Sequence, residues 1–311
     1  MVPIFRTDDL DFDYRIFQGA SCAFGVFDGV HRGHRFLLQC AQETAAASRG
    51  RSLALTFDKD PDEVFHPDRL KKLLTNHDRL QMLAATGVDA VVVLPFTPDF
   101  AALNPREFLE KTFGGHVPAY LHVGFDFHFG ARARGSVAEL EEWATCFGTH
   151  IDAHDLKNDE GAPITATRIR LLLDATDIEE ANHLLGRPYY LRETVLPGRG
   201  EGRDMGFHTA NLSPTFPFRV LGEGVYAAYV TVQETRYRAA VSVGVSPVFA
   251  GRATASCEVH ILDFSGNLYG EEIKVEFIEF LRPMIKFETT EELIATVMGN
   301  IAYVREHLSL T

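Results

Sequence analysis

The stretch Ser21-Cys22-Ala23-Phe24-Gly25-Val26-Phe27-Asp28-Gly29-Val30-His31-Arg32-Gly33-His34 decides how the first half of this chain folds. Residues 21–27 are apolar and end on a glycine-bearing turn, the pattern of a buried strand. From 35 to 47, Leu37, Leu38, Ala41 and Ala45 recur at helical spacing. A strand, a tight turn and a helix start therefore enclose two histidines, His31 and His34. A helix N-terminus offers unpaired backbone N–H groups and the positive end of the dipole, which suits a phosphate. Gly33 lets the backbone approach a ligand closely. At i and i+3 the two imidazoles face one ligand across one turn. There they can donate hydrogen bonds to phosphoryl oxygens as charge develops, without acting as nucleophiles. The plainer alternative is a pair of histidines that cap the helix or bind a metal.

Working outward, short apolar runs at 52–57, 90–94 and 119–123 alternate with helical patterns at 70–85, 106–113 and 138–147. That alternation predicts a parallel, Rossmann-like sheet with right-handed crossovers. A last helical stretch, 177–185, ends at Gly186 with Pro188 just beyond, a helix stop. After it the pattern changes. Runs at 189–196, 225–233, 236–245, 257–263 and 273–281 are rich in β-branched and aromatic residues and are separated by Gly, Pro, Asn and Asp. They predict an antiparallel barrel or sandwich, closed by an amphipathic helix over 291–308. The expected class is thus α/β followed by all-β, with domains at 1–186 and 187–311. Two domains also suit a length of 311 residues.

Thirty Lys and Arg against 43 Asp and Glu give a formal charge of −13. Such a chain is a poor candidate for general nucleic-acid binding, which needs a basic field. Anionic small molecules remain open to it, because a local site can be positive on an acidic protein. The four cysteines, Cys22, Cys40, Cys146 and Cys257, form no CxxC pair and too few for a disulfide framework. Residues 1–14 are acidic and carry no apolar h-region. The longest greasy stretch, 88–96, is too short to span a bilayer and contains Pro95. The expectation is a cytoplasmic protein with small-molecule substrates, without nucleic-acid or membrane partners, and with room for a homo-oligomer.

The second dense motif runs Gly198-Arg199-Gly200-Glu201-Gly202-Arg203-Asp204-Met205-Gly206-Phe207-His208-Thr209-Ala210-Asn211. It is neither a P-loop nor a GxGxxG dinucleotide turn. A flexible hairpin is the plain alternative. For Glu258, standing alone, that alternative is a surface charge on an edge strand, and for Thr167, Arg168 and Arg170 it is a cap and a solvated helix face.

The first half resembles the HxGH nucleotidyltransferases, most closely the prokaryotic FAD synthetases. The resemblance rests on the strand–GVFDGVHRGH–helix segment, on Thr56-Phe57-Asp58 with Pro61, on Gly124-Phe125-Asp126-Phe127-His128-Phe129-Gly130 and on Ile164-Thr165-Ala166-Thr167-Arg168-Ile169-Arg170. It implies that His31 and His34 contact ATP phosphates during adenylyl transfer. It further implies nucleotide or flavin binding by Gly25, Phe27, Asp28, Gly33, Asp58, Asp126, Thr167 and Arg170. The chain departs from that pattern at Lys59 and Asp60, where the family commonly has Pro and His. It departs again at Thr165 and Ala166, where the family has two serines.

The second half resembles the riboflavin kinases. Beyond the glycine-rich loop, the resemblance rests on Gly224-Val225-Tyr226, Val243-Gly244 with Pro247 and Phe249, Cys257-Glu258 through Asp263-Phe264, Leu268-Tyr269-Gly270 and Phe280-Leu281-Arg282. It implies that Thr209 and Asn211 help hold Mg²⁺ and ATP phosphates and that Glu258 is the catalytic base. Gly198, Gly202, Arg203, Gly206 and Arg282 would bind nucleotide or flavin. The family's Pro is replaced here by His208. Together the two resemblances imply a bifunctional enzyme that uses ATP and Mg²⁺ to convert riboflavin to FMN and FMN to FAD. The alternatives are a kinase whose first half is impaired, as Asp60 and Ala166 suggest, or a flavin- or nucleotide-binding regulatory relative without turnover.

Overall fold

The computed structural model describes residues 2–66, 71–197, 209–212, 221–246 and 254–310. By contact the chain divides into two compact units, Met1–Leu70 with Leu74–Ala166, and Lys71–Leu73 with Thr167–Thr311.

In the first unit, β1 (Ile4–Arg6), β2 (Ser21–Phe24), β3 (Ser52–Phe57), β4 (Ala90–Leu94), β5 (Tyr120–Gly124) and β6 (His150–His154) form one sheet in the order β1-β4-β3-β2-β5-β6. Every pairing in it is parallel. β3 and β4 are buried at every position, as strands covered on both faces must be. The helices of this unit are α1 (Arg32–Ser48), α2 (Pro61–Phe65), α3 (Asn76–Ala84), α4 (Pro98–Ala101), α5 (Pro105–Phe113) and α6 (Val137–Thr145), followed by the β7 (Asn158–Asp159)–β8 (Ala162–Pro163) hairpin. α1 buries Leu37, Leu38, Ala41 and Ala45, the apolar stripe seen in the sequence. Burying each leucine contributes about 1.5–3 kcal/mol. One core cluster is dominated by phenylalanines, among them Phe17, Phe24, Phe57, Phe96, Phe100, Phe108 and Phe113.

The strand order fixes where a ligand can sit. From β2 the chain moves outward through β3 and β4, and β5 and β6 lie on the other side of β2. The order therefore reverses between β2 and β5. At such a switch point the loops leaving the strands' carboxyl ends diverge and leave a crevice. The His31 turn leaves β2, and the Gly124–Asp126 turn leaves β5.

The second unit carries α7 (Ala166–Asp174), whose first residue still belongs to the first unit, and α8 (Ile178–Leu185). Its sheet contains β9 (Tyr189–Thr194), β10 (Thr209–Leu212), β11 (Gly224–Val232), β12 (Thr235–Ser246), β13 (Thr254–Ile261) and β14 (Glu272–Arg282), and α9 (Thr290–His307) follows. The sheet is antiparallel in the order β10-β13-β12-β11-β14-β9. Leu196, just beyond β9, bridges Asn211 of β10 with an N–H···O bond of 2.9 Å. That bridge joins the two ends of the sheet, so of the two expected forms the barrel is the one present. α9 covers it through Ile301 and Val304, joined by Leu308 just past its end, against Ala227, Tyr229, Ala240 and Leu262.

Several elements differ from the sequence reading. The helix expected over 70–85 runs Asn76–Ala84, because Thr75 caps it by accepting from Asp78 N at 2.9 Å. β1, β6, α2 and α4 were not anticipated. Thr209–Leu212 is a strand rather than part of a loop. The sequence placed the domain division at 186/187, whereas α8 stands by contact with the second unit. Asn182 on α8 donates to Phe277 O at 2.9 Å and accepts from Tyr189 N at 2.6 Å, binding that helix to β14 and β9.

Candidate functional site

In the first unit a cleft of about 220 Å³ opens at the switch point. Its wall includes Gly25, Phe27, His31, Gly33 and His34 from the turn after β2, Gly124 and Asp126 from the turn after β5, and Thr165 and Ala166. His31 is buried and serves as the N-cap of α1, its Nδ1 accepting from His34 N at 3.3 Å. Histidine is an unusual cap, since Ser, Thr, Asp and Asn satisfy that position best. Here the capping bond has a chemical consequence. With Nδ1 accepting, a neutral His31 carries its proton on Nε2, which is then a donor. Capping and ligand binding are therefore two uses of one ring rather than alternatives. The rings of His31 and His34 stack at 3.5 Å with 19° between their planes, and Phe27 meets His34 edge-on at 5.3 Å.

This packing leaves little room for a side chain at Gly33. A Cβ there would lie 3.2 Å from the His31 ring and 3.3 Å from Ile164 O. The backbone before it is strained, with Phe27 at φ 59° and Val30 at φ 42°. Non-glycine residues hold such angles only where their surroundings over-determine them.

Arg79, which the sequence reading passed over, supplies part of that support. It is 1% exposed on α3. Its guanidinium donates to Val26 O at 2.8 Å, Thr56 Oγ1 at 2.7 Å and Phe57 O at 2.6 Å, with longer bonds to Asp58 O and Asn76 Oδ1. One buried fork thus ties the ends of β2 and β3 together beside the cleft. Burial pulls its pKa below the ordinary arginine value, against the opposite pull of Asp28, Asp60, Glu63 and Asp58. The only cue in the sequence was an arginine four residues before Leu83, on the buried side of a helix.

Other predicted residues are placed differently. Asp28 is buried in the turn before His31. Asp58 accepts from Phe96 N at 2.8 Å and pairs with Arg6 at 3.4 Å, and it does not line the cleft. Asp60 caps α2 in a capping box with Glu63, accepting from Asp62 N at 2.9 Å. Thr167 and Arg170 belong to the second unit. There Arg170 donates to Lys71 O at 2.6 Å, and Arg168 pairs with Glu180 at 2.9 Å.

In the second unit the register assembles the site. Asn211 on β10 stands directly opposite Glu258 on β13, and Thr209 opposite His260. Residues opposite one another in an antiparallel pair have Cβ atoms about 4.5–5.5 Å apart. Ala210, Leu212, Cys257 and Val259 point into the barrel and are buried, so Thr209, Asn211 and Glu258 share the other face. On β12, Ser242 pairs with Glu258 and its hydroxyl lies 3.5 Å from Met284 Sδ. The chain leaving Arg282 therefore passes along the same rim. Arg282 donates to Pro283 O at 3.1 Å, and burial lowers its pKa. Gly198, Gly202, Arg203, Gly206 and His208 lie outside the described residues.

Among the described residues no group of three or more His, Cys, Asp and Glu could hold a metal ion. Thr209 and Asn211, two residues apart on β10, offer oxygen donors on one face of the strand. Asn211 Nδ2 lies 3.5 Å from Thr209 O, which leaves its amide oxygen as an acceptor on the face of β10 that also carries Thr209. Neutral oxygen donors of this kind fit a hard divalent cation that keeps water and phosphate as its other ligands.

A family model described as FAD synthetase matches residues 14–168, and one described as riboflavin kinase matches 185–308. A bifunctional riboflavin kinase/FMN adenylyltransferase from Listeria monocytogenes is 34% identical over 88% of this chain and 87% of its own length. The chain belongs to the bifunctional riboflavin kinase/FMN adenylyltransferase family. The family's proteins from Pseudomonas fluorescens and Escherichia coli are 32% and 33% identical, covering 93% and 94% of both chains respectively. A solved structure of a macrolide-efflux protein from Streptococcus pneumoniae aligns with a TM-score of 0.86 at 28% identity, over 99% of this chain and 100% of that one. That name speaks for the other protein. Among the described residues here, no helix is long and apolar enough to cross a membrane.

Proposed function

We propose that this protein makes both flavin cofactors. Riboflavin and ATP give FMN and ADP in residues 187–311, and FMN and a second ATP give FAD and pyrophosphate in residues 1–186. The observation that carries the reading is the presence, in one chain, of two separate groupings of the residues that the two reactions require. One is a histidine-capped helix start at a switch point, and the other is a strand pair opposing Asn211 to Glu258.

In the first reaction Glu258 accepts the proton of the ribityl hydroxyl as its oxygen attacks the γ-phosphorus, and ADP leaves. Thr209 and Asn211 would hold Mg²⁺, which when bound draws charge from the phosphate oxygens. In the second reaction a phosphate oxygen of FMN attacks the α-phosphorus of ATP, and pyrophosphate leaves. No proton abstraction is needed there, so the residues act by position and charge. His31, donating through Nε2, and His34 hold phosphoryl oxygens as charge builds on them. Gly25, Phe27, Gly33 and Asp126 shape the crevice. Asp28, Asp58, Thr167, Arg170 and Arg282 are assigned to nucleotide or flavin binding, with Asp58 acting through the loop it ties down. The four cysteines are all free thiols, which supports a reducing, cytoplasmic setting.

Chromatography of flavins after incubating the protein with riboflavin, ATP and Mg²⁺ tests the whole scheme. FMN appearing first and FAD after it is the expected result. The His31→Ala variant is expected to accumulate FMN and make no FAD. If it lost both products while folded, the assignment of two sites would be wrong.

A further inference from the structure

The first-unit cleft has a second pair of histidines in and beneath its wall, on β5 and β6, away from the His31 turn. His154 lines the cleft. Its Nε2 lies 2.9 Å from Nδ1 of His122, and His122 Nε2 lies 3.0 Å from Ser21 Oγ. Ser21 and His122 are at most 1% exposed, so the chain Ser21–His122–His154 runs from the sheet interior to the cleft. Phe36 of α1 meets the His154 ring edge-on at 5.8 Å and 89°, which pins its plane.

A chain of neutral imidazoles can point either way, and its sense decides what the cleft is offered. Burial lowers the His122 pKa to about 4, so that ring is neutral at physiological pH and carries one proton. The Asp152 carboxylate lies 3.6 Å from His122 Nδ1, too far for a hydrogen bond but close enough to favour the proton on that nitrogen. His122 Nδ1–H then donates to His154 Nε2, and Ser21 O–H donates to His122 Nε2. A neutral His154 must in turn carry its own proton on Nδ1, on the ring that lines the cleft. The chain ends in a donor, suited to a phosphate oxygen or a heterocyclic nitrogen.

We propose that His154 binds the ATP of adenylyl transfer through Nδ1–H, and that His122, held by Ser21, is the positioning residue that fixes this donor sense. The proposal rests on reading this unit as the FMN adenylyltransferase.

Two amide substitutions separate positioning from mere packing. An asparagine amide reaches about as far as the Nδ1 of a histidine, and a glutamine amide about as far as Nε2. His122→Asn therefore keeps the contact to His154, whereas His122→Gln keeps only the contact to Ser21. In the full-length protein, pyrophosphate release from FMN and ATP is measured alongside denaturant unfolding followed by the fluorescence of Trp143, the one tryptophan of the chain, which reports folding of the first unit. His154→Ala and His122→Gln are expected to raise KM for ATP about tenfold, the equivalent of one lost hydrogen bond, with kcat nearly unchanged. His122→Asn should stay within about threefold of the parent. KM for FMN should not move. Ring ¹⁵N spectra of histidine-labelled protein should show His154 Nδ1 protonated and shifted when ATP is added. Equal losses in the Asn and Gln variants, an unchanged KM for ATP in His154→Ala, or an effect confined to FMN would each overturn the proposal. Should the protein make no FAD at all, the functional reading falls. The contact then stands if ATP still shifts His154, and falls with that reading if it does not.

Discussion

The two sites are built in opposite ways. In the first unit, His31 and His34 sit on one short segment that runs from a strand end into a helix start, and their geometry depends on distant support. Phe27 and Val30 hold positive φ, and Arg79 fastens the ends of β2 and β3 beside them. In the second unit, Asn211 and Glu258 are far apart in sequence, yet ordinary strand register sets them opposite each other. A site made from a strained turn fails when its scaffold is loosened. A site made from register loses its chemistry only when the reacting side chain itself is changed.

The largest expected effect tests the second half of that contrast. Glu258 is exposed on β13. Glu258→Gln keeps the shape and removes the basicity, so it should lower kcat for riboflavin phosphorylation about 10²–10⁴-fold. Thermal unfolding should be unchanged, and FAD formation from supplied FMN should continue at the parental rate. A variant that lost stability as well would show that Glu258 belongs to the scaffold.

The same contrast explains what the sequence disclosed. Residues 52–57 and 90–94 were legible to the residue, because central parallel strands are uninterrupted apolar runs. The His31 turn was legible because its parts are contiguous. β1 escaped notice because it has three residues and becomes a strand only by pairing with β4. β6 reads His150-Ile151-Asp152-Ala153-His154, with no apolar run to mark it. Arg79 escaped because the carbonyls it joins lie more than twenty positions away. The opposition of Asn211 to Glu258 follows from pairing, and no local pattern encodes it. Asp60, which departs from the family's pattern, proves to be a helix cap, a role that needs no ligand.

The next effect in size concerns Arg79. Arg79→Met fills a similar volume but takes the guanidinium donor from Phe57 O and Thr56 Oγ1 and leaves Val26 O with only the 3.2 Å bond from Thr56 Oγ1. The loss should be at least about 3 kcal/mol, since each bond involves a charged group and the acceptors stay buried. Denaturant unfolding followed by a first-unit probe, such as the fluorescence of Trp143, measures it. FAD formation should fall steeply and riboflavin phosphorylation should persist. Arg79→Lys keeps the charge but cannot form the fork, so it should restore only part of the stability. Full FAD formation in Arg79→Met would break the comparison, because the turn would then hold its shape unaided.

The smallest effect separates support from chemistry within the first site. Asp60 accepts from Asp62 N, while Glu63 accepts from Asp60 N at 2.9 Å, a reciprocal cap on a helix of five residues. Asp60→Ala removes one side of that box and should cost about 1 kcal/mol of stability. Asp60→Asn retains an acceptor and should cost less. Because Asp60 does not line the cleft, FAD formation should remain within about threefold of the parent in both variants, less than the loss of one hydrogen bond to substrate would cause. A tenfold or larger drop in Asp60→Asn, with unfolding unchanged, would instead place the Asp60 charge in the reaction. The strained turn would then have a chemical partner beyond its histidines, and the division between scaffold and site in this unit would have to be redrawn at β3.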